Sequence, residues 1–163
     1  MAGRSTSAQG SVRHARDGVR NPRGSRRGPQ VRAVVDASVL VAALVETGPV
    51  GSWAEAAVAE GPVAGPEFVL AETSNILRRM ERSGRISTLQ ATASHRDMLR
   101  LDIALFSFAP YAERVWALRA NVTSYDAWYV ALAEALDYPL VTLDRRLSRA
   151  SGPRCDFITP PHQ

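Results

Sequence analysis

Short apolar runs alternate with helical stretches along this chain, and two of the runs stop on an aspartate. Ala33-Val34-Val35 ends at Asp36, and Pro139-Leu140-Val141-Thr142-Leu143 ends at Asp144. Runs this short and this apolar suit strands buried on both faces, which in turn need helices to cover them. Ser38 to Glu46 predicts a helix broken by Gly48-Pro49, and Val50 to Glu60 predicts a second. A short strand at Val63-Ala64 leads into a long helix that the pattern starts at Pro66 and stops at Gly84. Ser87 to Leu101, Pro110 to Ala120 and Ser124 to Leu136 predict three more helices, and Phe157-Ile158 an edge strand. The alternation predicts an α/β fold whose central, mostly parallel sheet has four to five short strands. Ligands of such sheets gather outside the carboxyl ends of the strands, where Asp36 and Asp144 fall.

At 163 residues the chain fits one domain with a sizeable core. No run approaches the ~18 apolar residues of a membrane-spanning helix, and the single cysteine, Cys155, has no partner for a disulfide or a zinc site. A reducing, cytoplasmic compartment is therefore expected. All 20 basic residues are arginine. Without lysine, a P-loop and a Schiff-base enzyme are both excluded. Charge divides unevenly: residues 1–32 carry eight arginines and one acid (8 − 1 = +7), and residues 33–163 carry twelve arginines and fifteen acids (12 − 15 = −3). The first segment, rich in Gly, Ser, Pro, Gln and Arg, is expected to be a disordered arm. It is either a natural basic tail suited to nucleic-acid phosphates or the product of a misassigned start, with translation beginning near Val31.

Four acids stand where apolar elements begin or end: Asp36, Glu72, Asp126 and Asp144. Singly, Asp36 and Asp144 read as helix caps and Asp126 as a first-turn residue favoured by the helix dipole. Glu72 is harder to explain, because its helical neighbours include Phe68, Val69 and Ile76. A salt bridge to a nearby arginine is the ordinary alternative. If the four converge, each like-charge pair ~4 Å apart costs roughly 4 kcal/mol at an effective dielectric near 20, so a cation is needed. Oxygen ligands without convergent His or Cys select Mg²⁺ or Mn²⁺. Carboxylate-held divalent ions suit in-line attack on a phosphodiester. His14, His95 and His162 lie off these segments and are expected at the surface.

The segments Val34-Val35-Asp36-Ala37-Ser38-Val39, Glu72-Thr73-Ser74-Asn75-Ile76-Leu77, Ser124-Tyr125-Asp126-Ala127-Trp128-Tyr129-Val130-Ala131-Leu132-Ala133 and Leu140-Val141-Thr142-Leu143-Asp144-Arg145-Arg146-Leu147 come in an order and spacing that resembles PIN-domain ribonucleases. Within that family the chain resembles specifically the VapC-type toxins of bacterial toxin–antitoxin pairs. The resemblance spans residues 33–163 and implies a PIN-like three-layer sandwich. It also implies a metal-dependent endoribonuclease that cuts tRNA, rRNA or mRNA, with Asp36, Glu72, Asp126 and Asp144 as catalytic and Mg²⁺- or Mn²⁺-holding acids. Ser38, Asn75 and Thr142 would orient the acids or the substrate, their alternative being helix capping or backbone bonding. Arg145 and Arg146, with Arg78, Arg79, Arg82, Arg85 and Arg149, could hold RNA phosphates or line a solvated face. A cognate antitoxin and a homodimer are further implications. Trp53, Leu89, Met98 and Phe106 are candidates for a partner surface or for the core.

Two other functions compete: a non-catalytic RNA-binding or regulatory module of the same fold, and a structure-specific DNA nuclease. The second needs extra helices to thread DNA, for which 131 residues leave little room. A phosphoryl receiver or a haloacid-dehalogenase phosphatase would need a lysine, and the latter a second aspartate two residues after Asp36, where Ser38 stands.

Overall fold

The structure, a computed structural model, describes residues 32–161 and the backbone of residues 13–14. The elements run β1 (Arg13–His14), β2 (Val34–Val35), α1 (Ala37–Val45), α2 (Pro49–Ala59), β3 (Val63–Pro66), α3 (Val69–Arg82), α4 (Thr88–Met98), β4 (Ile103–Phe106), α5 (Ala112–Ala117), α6 (Ser124–Leu136), β5 (Leu140–Val141) and β6 (Phe157–Ile158). All strands are parallel in one sheet of order β1-β4-β3-β2-β5-β6. The expected α/β architecture is therefore present: five strands from the folded region, flanked by six helices. Arg13–His14 adds an edge strand beside Ala104 and Leu105. Residues 1–12 and 15–31 of the segment expected to be a disordered arm lie outside the described residues, as does His162.

The register Val34↔Leu140 and Val35↔Val141 sets β5 beside β2. From β2 the chain proceeds outward through β3 and β4 on one side, and through β5 and β6 on the other. Strand order thus reverses between β2 and β5, and a crevice opens outside their carboxyl ends. Val34, Val35, Leu140 and Val141 are buried, as strands covered on both faces require. Across them lies α6, which packs on β2, β3 and β5 through a buried run from Tyr129 to Ala133.

Three expectations need correcting. The helix begun at Pro66 instead starts at Val69. Pro66 closes β3 opposite Phe106, and the Glu67 N–H continues the ladder to the Phe106 carbonyl at 3.0 Å, so the chain stays extended. Proline disfavours helix at the residue before it, which is Gly65. A side chain at Gly65 would stand 3.1 Å from the Val69 Cγ1, so the glycine admits the close approach of strand and helix. The second correction is β4, absent from the sequence reading: the helix expected to reach Leu101 ends at Met98, and Ile103 and Leu105 turn inward. The expected Pro110 to Ala120 helix also shortens to a 3-10 turn at Ala109–Tyr111 followed by α5.

Of the candidate partner-surface residues, Met98 is buried, Trp53 and Phe106 pack partly against the core, and Leu89 is 80% exposed on α4. Among the described residues no single helix is long and apolar enough to cross a membrane.

An ion pair ties α5 to α6 and to the chain after it. The Arg114 guanidinium donates to Glu134 at 2.7 and 2.9 Å and to the Gly152 carbonyl, and Glu134 also accepts from the Arg154 N–H at 2.8 Å. Burial raises the Glu134 pKa, but the bonds from Arg114 and Arg154 outweigh it and leave the carboxyl below its ordinary 4.5. The pair therefore contributes its full stability above that ordinary value and loses it as pH falls through the lower folded value. Denaturant midpoints measured downward from pH 6 should fall for the wild type, and the fall should be shallower in Arg114→Met.

Candidate active site

Each of the four acids is placed by a local device. Asp36 leaves β2 in an extended conformation and caps α1, its Oδ1 accepting from the Val39 N–H at 3.1 Å. The same oxygen accepts from the Ser38 hydroxyl at 2.5 Å, and Oδ2 accepts from the Thr142 hydroxyl. Thr142, fully buried past the end of β5, also accepts from the Asp144 N–H at 2.9 Å, and the Ser38 hydroxyl accepts from the Leu143 N–H at 3.1 Å. Two hydroxyls thus stitch the ends of β2 and β5 together around one carboxylate. Asp144, exposed, accepts from the N–H groups of Arg146 and Leu147 at the approach to the 3-10 turn at Leu147–Arg149.

Glu72 sits in the first turn of α3, half-buried, where Val69, Thr73, Leu77 and Met80 face inward and Arg78 and Arg79 outward. Its Oε2 accepts from the Tyr129 hydroxyl at 2.7 Å. Asp126 lies one turn before Tyr129 on α6. It is held by Thr123, whose hydroxyl accepts from the Asp126 N–H at 3.2 Å and donates to Oδ2 at 2.7 Å.

Electrostatics join three of these acids. Burial raises the Asp36 pKa, against the hydrogen bonds from Ser38, Thr142 and Val39. Burial likewise raises Glu72, and the charges of Asp36 and Asp126 push it further up, opposed by the Tyr129 hydroxyl and by Arg79. Burial and the Glu72 charge raise Tyr129 itself, so it remains a donor. Asp36 and Asp126 therefore both act on Glu72. Asp144 joins them through Thr142 and, with Asp126, lines a groove of about 760 Å³. As the side chains stand, no three acids among the described residues are close enough to hold an ion together. The donor chemistry still suits a hard divalent cation: oxygen only, mutually repelling, with two of the carboxyls biased toward neutrality by burial.

The other candidates divide. Ser38 and Thr142 touch Asp36 directly, and Arg146 lines the groove. Asn75 is engaged elsewhere, accepting from the Arg78 guanidinium at 3.0 and 3.2 Å on the exposed side of α3. Arg145 is half-buried beside Asp144, and His95 is exposed on α4. Sequence reasoning missed Tyr129 and Thr123. Thr123 was within reach, since Thr-x-x-Asp before an apolar run is a capping signal. Tyr129 carried the weaker hint of a hydroxyl three residues after Asp126.

The family model of the PIN domain matches residues 33–153. The chain belongs to the PIN-domain family. Among its relatives, this PIN domain is 36% identical over 128 residues to ribonuclease VapC9 of Mycobacterium tuberculosis, covering 78% of this chain and 98% of the relative. To ribonuclease VapC1 of the same species it is 40% identical over 125 residues, covering 76% of this chain and 94% of that one. The crystal structure of PAE2754 from Pyrobaculum aerophilum superposes with a TM-score of 0.59 at 26% identity, over 78% of this PIN domain and 83% of that protein. PIN-domain nucleases generally use divalent metal ions.

Proposed function

We propose that this PIN domain is a metal-dependent endoribonuclease toxin that hydrolyses phosphodiesters of cellular RNA in the cytoplasm and is neutralised by a cognate antitoxin. The observation that carries this reading is Glu72 under the charges of Asp36 and Asp126, with Asp36 at the strand-order switch point. The ribonuclease relatives, matched over nearly their whole length, support the same chemistry.

Asp36, Glu72, Asp126 and Asp144 would hold the ion, Mg²⁺ or Mn²⁺. Once bound, such an ion polarises the phosphodiester and lowers the pKa of an attacking water. The chain's own residues do the positioning. Ser38 and Thr142 fix both oxygens of Asp36, which sets the direction in which its remaining lone pairs point. Tyr129 holds one oxygen of Glu72 and leaves the other open. Thr123 does the same for Asp126. Arg145 and Arg146, following Asp144, would hold the phosphate backbone. The toxin is expected to act as a homodimer, with the antitoxin covering the acidic crevice.

Purified protein freed of any antitoxin should fragment total cellular RNA in Mg²⁺ or Mn²⁺, and excess EDTA should stop it, as read on denaturing gels. Intact tRNA, rRNA and mRNA under those conditions would overturn the proposal. Undiminished RNA affinity with no cutting would instead favour a non-catalytic binding module, and cutting confined to branched DNA a DNA nuclease.

A further inference from the structure

The groove that carries Asp126 and Asp144 continues past the acids along the turn after α5, where Arg119, Asn121 and Thr123 line it, with Arg146 from the segment after β5. Its volume, about 760 Å³, lies within the ~300–1,000 Å³ of sites that seat a small ligand. Trp116, on the last turn of α5 and 66% exposed, stands beside Arg119 of that lining. An indole left in water stabilises nothing in the fold, yet this one is held in place: the Arg119 guanidinium lies 4.7 Å from its ring centroid and donates to the Trp116 carbonyl at 2.8 Å. One face of the ring is thus occupied by a cation, and the side chain as a whole remains open. Gly152, at φ +107, approaches Asn121 closely: a side chain there would stand 2.9 Å from the Asn121 Nδ2.

A rigid, exposed aromatic ring backed by arginine is the usual platform for an unpaired base, and guanidiniums beside it are the usual partners of phosphate. We propose that this groove seats an unpaired nucleotide of the RNA next to the scissile phosphodiester, with Trp116 stacking its base and Arg119 and Arg146 holding its phosphates. The inference rests on the endoribonuclease reading for its substrate class. It adds a determinant of which RNA is cut: the site requires a single-stranded segment, because a paired base cannot leave its stack to meet Trp116. Asp126 and Asp144 line the same groove, so a nucleotide bound there lies beside the acids.

The test is binding of a short fluorescein-labelled single-stranded RNA, followed by anisotropy in Mg²⁺ with all proteins in an Asp36→Asn background so that nothing is cut. Trp116→Ala and Arg119→Ala should each weaken binding about tenfold, in line with the cost of losing one stacked base. Trp116→Phe should bind within about threefold of the parent, since a phenyl ring still stacks. A duplex of the same sequence should bind the parent and Trp116→Ala alike. Affinities within twofold of the parent for both alanine variants would overturn the inference, as would an equal loss on the duplex. Both side chains are exposed, and circular dichroism melts verify that the variants fold. If the wild type cuts RNA while both alanine variants bind undiminished, the groove inference falls and the endoribonuclease reading stands. If the wild type cuts no RNA but the selective losses appear, the outcome is the reverse.

Discussion

Asp36→Asn is expected to lower RNA cleavage by about 10³-fold, corresponding to about 4 kcal/mol of lost transition-state stabilisation, while the protein stays folded. Asparagine caps helices as well as aspartate does, so its carbonyl oxygen can keep the bonds from Val39 and Ser38. The new amide group then faces the Thr142 hydroxyl, which can accept as well as donate. Removing a charge from a position where burial already disfavours it offsets the altered hydrogen bond. What the amide cannot supply is a negative oxygen for a divalent cation. Single-turnover cleavage in Mn²⁺ reads the activity, and a thermal melt within a few degrees of the wild type shows that the loss is chemical. Activity within tenfold of the wild type would remove Asp36 from the proposed site.

The sequence made α6 and the four acids legible because both are local patterns: an apolar period after a cap, and charges interrupting apolar runs. Pro66 misled for a reason that is not local. Its ring suits a first helical turn, but the Glu67 N–H finds its partner on β4, a strand whose short Ile-Ala-Leu-Phe run gives little signal by itself. Asn75 shows the same limit on a smaller scale. Its place one turn after Glu72 suggested that it faces the acids, yet on the outer side of α3 Arg78 is close enough to take its carbonyl oxygen. Tyr129 could be paired with Glu72 only once α3 and α6 had been set against the same sheet. The family resemblance singles out Thr142 but not its partner, because the hydroxyl reaches a residue 106 positions away through the β2–β5 register alone.

That register makes Thr142→Val the substitution with the largest expected effect on stability. Valine nearly matches threonine in shape, so no cavity opens and the change isolates the hydroxyl. Two groups lose their partner together: Oδ2 of Asp36, a residue only 8% exposed, and the backbone N–H of Asp144. Leaving a buried acceptor unsatisfied costs about 1–3 kcal/mol, and more when it is charged, so a loss of roughly 3 kcal/mol is expected. The Thr142 bond is one of those holding the raised Asp36 pKa down, so its loss pushes the carboxyl further toward the neutral form. Cleavage should therefore fall as well, and more steeply at low pH than in the wild type, because a larger share of Asp36 becomes protonated there. Thr142→Ser, which keeps the hydroxyl and loses only a methyl group, should restore most of the activity and return the pH profile to that of the wild type. Urea denaturation and cleavage rates measured across pH check both effects. A Thr142→Val protein as stable and as active as the serine variant would show that the hydroxyl between the two strand ends does not position Asp36.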